Sequence, residues 1–107
     1  MNWFYILIAS LFEISWAIGL KYSEGFTQLR ASIFTVITMI LSYVFLSMGI
    51  KTLPLGTAYA VWTGIGAVGT AVYGMIYFNE QRDLIRVFFI FLIVVGIIGL
   101  RLTYKSN

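Results

Sequence analysis

Apolar residues dominate this chain in four long stretches that short polar segments separate. The stretches cover approximately residues 3–20, 31–50, 57–78 and 85–102. Each is close to the ~20 mostly apolar residues that a helix needs to cross the hydrocarbon core of a bilayer. The pattern therefore predicts four transmembrane helices, with the lipid bilayer as their solvent.

The polar connections between the stretches contain residues that end helices. The first connection contains Gly25, the second contains Pro54, and the third, Asn79 to Asp83, is polar throughout. Short connections of this kind join antiparallel neighbours, which predicts an up-and-down bundle. We expect the first stretch to remain as a helix and not to be cleaved as a signal peptide, because it lacks a basic leader and contains an acid.

The composition narrows the classes of function. Apolar and aromatic residues make up 61% of the chain and charged residues 10%, whereas soluble domains carry about 25% charged residues. Without cysteine or histidine, and with four acids in all, the sequence gives no reason to expect a metal or cofactor. We expect no enzyme, because no nucleophile lies beside a base, and no nucleic-acid binding, because the basic residues lie at helix ends.

Basic residues are divided almost equally between the two sides of the predicted bundle. One side holds Lys51, Arg101 and Lys105, and the other holds Lys21, Arg30, Arg82 and Arg86. Lysine and arginine in short loops determine the orientation of a membrane protein. The balance leaves two interpretations: one fixed topology with a weak bias, or insertion in both orientations, with opposite copies pairing as an antiparallel dimer.

Small residues in the third and fourth stretches favour close helix packing. A bundle of four helices has too narrow an interior for a hydrophilic path, so transport would require an oligomer. The third stretch aligns small residues along one face, and the fourth has a shorter patch: Ala60, Gly64, Ala67, Ala71 and Gly74, then Gly96 and Gly99. Such faces pack within a subunit or between subunits, and the pattern does not distinguish the two.

Glu13 is the one charged residue near the middle of a predicted helix. An ionised side chain at that depth costs roughly 2.5 to 3.5 kcal/mol, so a glutamate there requires a use or a partner. Ser10 and Trp16 lie one turn away on its face. Removal from water favours the protonated acid and a nearby cation favours the carboxylate, so proton and cation become alternative occupants of one site. The alternative is a protonated Glu13 that only hydrogen-bonds across a helix interface.

Two other predicted helices carry residues that can face Glu13. Tyr59 and Trp62 lie one turn apart in the third helix, and aromatic faces attract cations, although such residues also form interfacial belts. Ser42 lies near mid-depth in the second helix, with Met39 one turn away. Its hydroxyl is expected either to position Glu13 or to bond to the carbonyl four residues back.

Read together, these residues resemble the small multidrug resistance family of proton-coupled exporters along essentially the whole chain. The resemblance rests on Phe12-Glu13-Ile14-Ser15-Trp16, on residues 20–27 and 53–66, and on the short loop after Phe78. Within the family, Trp16, Ser42 and the run from Ala60 to Gly64 are similar to the guanidinium-exporter subtype. They are less similar to the subtype that exports polyaromatic cations.

The resemblance implies an all-α integral membrane protein of four transmembrane helices that forms an antiparallel, dual-topology dimer in the bacterial inner membrane. The expected function is proton-coupled export of guanidinium or small substituted guanidinyl cations, which carboxylates can bind in forked geometry. The alternatives are export of quaternary ammonium or polyaromatic cations, a non-transporting subunit, and one half of a heterodimer. The expected substrate and proton site is Glu13, Trp16, Ser42, Tyr59 and Trp62, with Ser10, Met39, Gly64 and Gly66 in a secondary pocket or helix bend.

The chain departs from the family pattern at three places. Ser10 stands where guanidinium exporters usually have glycine, which predicts a tighter and more polar pocket floor. The segment Asn79 to Asp83 replaces a Gly-Glu-Pro type of loop, which would change loop flexibility or mark a member that pairs with a different subunit. Phe89 replaces a small residue before Gly96, so the family's fourth-helix contact does not carry over simply.

Overall fold

The computed structural model describes residues 2–104, and within this range it contains four α-helices. They are α1 (Asn2–Tyr22), α2 (Leu29–Gly49), α3 (Leu55–Tyr77) and α4 (Leu84–Thr103). All four are long and apolar enough to cross a membrane. The predicted class, an all-α protein with four transmembrane helices, is confirmed. Lys105, one of the basic residues on which the predicted orientation depends, lies outside the described residues.

Local chemistry sets the helix ends. The α1 helix continues to Tyr22, beyond the apolar stretch, because helical hydrogen bonding does not require apolar side chains. Pro54 directly precedes α3, where its fixed φ and missing N–H cost nothing. The Asp83 carboxylate caps α4 by accepting a hydrogen bond from the Arg86 backbone N–H at 3.3 Å.

The connection between α1 and α2 is a tight turn organised by Ser23. The buried Ser23 hydroxyl donates to the Leu20 carbonyl at 2.7 Å and accepts from the Phe26 N–H at 3.2 Å. Glu24, Gly25 and Phe26 have φ angles of 49°, 74° and 67°, in the left-handed region. Such a turn reverses the chain within a few residues and brings α2 back alongside α1.

Polar residues of the unusual third connection contact one another and the start of α4. The Gln81 Nε2 atom donates to Asp83 Oδ2 at 2.9 Å, and the Arg86 Nη2 atom donates to Glu80 Oε1 at 3.4 Å. The Glu80 carboxylate also packs over Gly74, near the end of α3. These contacts give the segment a defined conformation, and its pairing with a different subunit remains a prediction.

The helices form a flat layer, with α1 packed against both α2 and α3, and with α4 beside α3. The Cα positions extend 46 × 35 × 16 Å. Packed helices lie 8–10 Å apart, so a layer about 16 Å thick does not surround a central path. This shape agrees with the expectation that one chain is too small to enclose a route for a solute.

The buried core is small, and part of it lies where α1 meets α3. Ile6 and Ala9 of α1 are buried there with Val61 and Trp62 of α3. By contrast, no residue of α4 is buried, and Phe89 is 58% exposed, with its ring edge-on to Phe88 at 5.5 Å. Large exposed apolar side chains are the expected surface of a protein whose solvent is lipid.

Candidate substrate and proton site

Glu13 lies at the contact between α1 and α3, directly against Gly66. A Cβ atom on Gly66 would overlap the Glu13 carboxylate and would lie 2.6 Å from its Cδ atom. Glu13 is half-buried, whereas Gly66 is buried. Because glycine has no side chain, Gly66 leaves the space that the carboxylate occupies.

Gly64 and Gly66, for which the family resemblance implies a pocket or helix bend, have different neighbours. A Cβ atom on Gly64 would meet the Ile97 side chain of α4 at 2.9 Å, so Gly64 serves the contact between α3 and α4. Gly66 alone of the two touches Glu13. The α3 helix runs without interruption from Leu55 to Tyr77, and a functional bend in it remains a prediction.

Ser42 joins all three helices of the site. Its hydroxyl donates to the Ala9 carbonyl of α1 at 2.7 Å and accepts from the Trp62 indole N–H of α3 at 2.9 Å. The hydroxyl therefore takes neither of the partners expected from the sequence, which were Glu13 and the carbonyl of its own helix. It acts instead at the helix junction one turn from Glu13, since Ala9 precedes Glu13 by four residues.

Trp62 is the buried aromatic residue of the site. It is 3% exposed, and its ring lies 5.4 Å from the rings of both Tyr59 and Tyr43. Tyr59, by contrast, is 53% exposed at the surface of the single chain. Sequence reasoning missed Tyr43, although its position next to Ser42, in the middle of an apolar stretch, is a signal that could have identified it.

Trp16 has a buried indole N–H with no hydrogen-bond partner in the described part of the chain. It follows Glu13 by three residues and so lies on the same side of α1. A buried donor without an acceptor costs ~1–3 kcal/mol. The Trp16 N–H therefore lacks a hydrogen-bond acceptor in the described single chain.

Ser10 and Met39, the remaining predicted residues, have no contact with Glu13 among those identified in the structure. Ser10 is fully buried, and its hydroxyl donates to the Ile6 carbonyl of its own helix at 2.7 Å. Its polarity is thus satisfied within α1. Met39 is half-buried on α2, one turn before Ser42. A direct role for either residue toward a substrate remains a prediction.

Glu13 has no basic partner within residues 2–104. The single ion pair in this range joins Arg86 to Glu80, at the end of the bundle. The same range contains no group of three potential metal-ligating side chains. A carboxylate near the middle of a membrane-spanning helix, without a protein cation among the described residues, can bind a cation or a proton from outside the chain.

The fold is that of a multi-pass membrane protein, and Glu13 lies near the middle of its first membrane-spanning helix. The family model described as Small Multidrug Resistance protein matches residues 1–93, and the chain belongs to this family.

Curated relatives of the chain carry the name Guanidinium exporter. The chain is 54% identical to the relative from Proteus vulgaris over 102 residues, which is 95% of this chain and 98% of that protein. It is 54% identical to the relative from Citrobacter freundii and 52% identical to the one from Salmonella typhi, each over 103 residues, 96% of this chain and 98% of the relative. The name of these relatives is that of a transporter.

Proposed function

We propose that this protein exports guanidinium, or small substituted guanidinyl cations, in exchange for protons across the bacterial inner membrane. It does so as an antiparallel homodimer whose two copies of Glu13 share one cavity. The family membership and the guanidinium-exporter name of the relatives support this function. The structural observation that carries it is the position of Glu13.

Glu13 supports exchange because its charge has no fixed partner in the described chain. The carboxylate packs against Gly66, and the nearest identified ion pair is remote from it. An ionised acid at this depth is costly, so it is stabilised either by protonation or by a bound cation. Since each occupant excludes the other, a proton entering the site releases the cation.

Guanidinium fits the polar groups around Glu13. Ser42 is fully buried in the single chain, and its hydroxyl oxygen has two acceptor lone pairs, of which Trp62 uses one. The Trp16 N–H lacks an acceptor, and the Glu13 carboxylate lies one turn away on the same helix. A Glu13 carboxylate that accepts both the Trp16 N–H and a forked guanidinium contact would give the indole N–H an acceptor and would neutralise both charges.

The aromatic rings favour a second candidate, export of quaternary ammonium cations. Tyr43 and Tyr59 are 50% and 53% exposed, and both rings lie beside Trp62. Quaternary ammonium ions donate no hydrogen bonds and are held mainly by aromatic faces. Competition between the two cation types therefore distinguishes the candidates.

The flat shape of the chain supports the proposed dimer. A layer about 16 Å thick does not enclose Glu13, so a second copy is needed to close a cavity around it. The near-equal distribution of basic residues favours insertion of the two copies in opposite orientations.

The test is transport by the purified protein in liposomes. With an acidic interior, outward proton flow should drive uptake of external guanidinium, and tetraalkylammonium ions should compete weakly. Glu13→Gln should abolish this uptake. Glu24→Gln, which removes an exposed acid from the turn between α1 and α2, is the matched control and should transport normally. Proton-driven uptake by Glu13→Gln at the wild-type rate would overturn the proposal.

A further inference from the structure

A groove separate from the Glu13 site opens where α1, α3 and α4 meet. Its volume is about 310 Å³, and its apolar lining includes Leu7, Ile65 and Ile98, with Trp3 and Arg101 at one end. Leu7 and Ile98 are 49% and 52% exposed, so the groove is open along its length. It lies on the part of the bundle that contains the start of α1 and the end of α4, near one membrane surface.

The end of the groove is positively charged and lies at the ends of α1 and α4, where we expect lipid headgroups. The Arg101 guanidinium carbon lies 4.9 Å from the centre of the Trp3 ring, and this ring is edge-on to Tyr104 at 5.6 Å. Tryptophan and tyrosine of this kind mark the membrane interface. Among the described residues, Arg101 forms no ion pair with a carboxylate.

The acidic side chains of the same chain lie away from Arg101. Glu24 lies in the first connection, and Glu80 and Asp83 lie in the third, both at the opposite end of the bundle, while Glu13 is near mid-depth. Arg101, without an ion-pair partner among the described residues, repels a cationic substrate and attracts an anion. An apolar groove that ends in a cation is complementary to an acyl chain joined to an anionic headgroup.

We propose that this groove binds one acyl chain of an anionic phospholipid, with the lipid phosphate at Arg101. The aliphatic side chains of Leu7, Ile65 and Ile98 contact the chain, and Trp3 lies beside the headgroup. The proposal does not depend on which cation the protein exports. In an antiparallel pair, the two copies would present one such groove to each leaflet.

The test is lipid binding measured by native mass spectrometry of the purified protein, titrated with phosphatidylglycerol and with phosphatidylcholine of the same acyl chains. Wild type should bind phosphatidylglycerol more tightly. Arg101→Gln should weaken phosphatidylglycerol binding about five-fold and leave phosphatidylcholine binding unchanged, since one basic residue near the surface contributes about that factor. Arg101→Lys should retain the preference.

Two further variants separate the groove from general charge. Arg86→Gln removes the same charge from the other end of α4 and should keep the wild-type preference. Leu7→Phe should fill the groove and weaken binding of both lipids. Equal losses in Arg86→Gln and Arg101→Gln, or unchanged lipid binding by Leu7→Phe, would overturn the proposal. A change in oligomeric mass with Leu7→Phe would also overturn it, because a second copy would then be the occupant.

Discussion

Glu13 and Gly66 form a pair in which one residue supplies the charge and the other supplies the space. The carboxylate occupies the volume that any side chain on Gly66 would fill. The identity of residue 66 therefore controls whether the acid can lie between α1 and α3. Nothing in the local sequence around Gly66 reveals this, because the constraint arises from a residue on another helix.

Gly66→Ala should displace the Glu13 carboxylate, because overpacking costs ~1–3 kcal/mol. Since 1.4 kcal/mol corresponds to a factor of ten, guanidinium exchange should fall about tenfold or more. Exchange in liposomes measures the effect. Gly56→Ala is the matched control on the same helix, because a Cβ atom there meets nothing within 4 Å. Equal exchange by the two variants would contradict the packing role of Gly66.

Ser42→Ala should remove the acceptor of the Trp62 N–H and the hydrogen bond to Ala9, leaving a buried donor unpaired at ~1–3 kcal/mol. Guanidinium exchange should fall more than transport of an apolar quaternary ammonium ion, which needs no acceptor. The measurement is the ratio of the two rates. Ser47→Ala removes an exposed serine that bonds within α2 and should leave the ratio unchanged. A constant ratio in Ser42→Ala would exclude Ser42 as a selectivity residue.

The sequence predicts residues of the site more readily than their partners. Glu13 is evident because a charge in an apolar stretch has a known cost. The bond from Ser42 to the Ala9 carbonyl could not be predicted, because it depends on the height at which α2 packs along α1. Tyr43 was missed for a related reason: its proximity to Trp62 depends on how α2 and α3 are placed around α1.

At the scale of helices, apolar length predicts the four elements and local capping determines their ends. The α3 helix begins after Pro54 and α4 begins after Asp83, both at residues with a recognised role at helix starts. Hydropathy alone does not identify which helix is central. That α1 contacts both α2 and α3 while α4 stays at the edge became evident only from the structure.

The exposed edge formed by α4 leads to a prediction about assembly. A Cβ atom on Gly96 meets nothing within 4 Å in the single chain. If α4 contacts a second copy, Gly96→Leu should leave helix content unchanged and shift the protein from dimer to monomer. Circular dichroism and light scattering measure the two effects, and Gly56→Leu is the control at another open position. A dimer fraction unaffected by Gly96→Leu would place the subunit contact elsewhere.

At the scale of the whole molecule, the near-equal division of basic residues between the two sides predicts insertion in both orientations, and the flat layer requires a second copy to enclose Glu13. With three basic residues on one side and four on the other, a C-terminal tag should be found on both sides of the membrane. Adding two or three lysines beside Lys51 should move the population toward one orientation. Accessibility labelling of intact and opened cells measures both results. A wild-type protein with one orientation would contradict the antiparallel homodimer and favour a different partner subunit.

Competition between proton and cation at Glu13 underlies the proposed exchange, and guanidinium binding measured as a function of pH reports that competition. Lowering the pH protonates the carboxylate and removes the charge that attracts the cation. Wild-type affinity should therefore weaken as the pH falls, by up to about tenfold per unit for one competing proton. Glu24→Gln should show the same dependence. Wild-type affinity that is independent of pH, or pH-dependent binding retained in Glu13→Gln, would contradict the account.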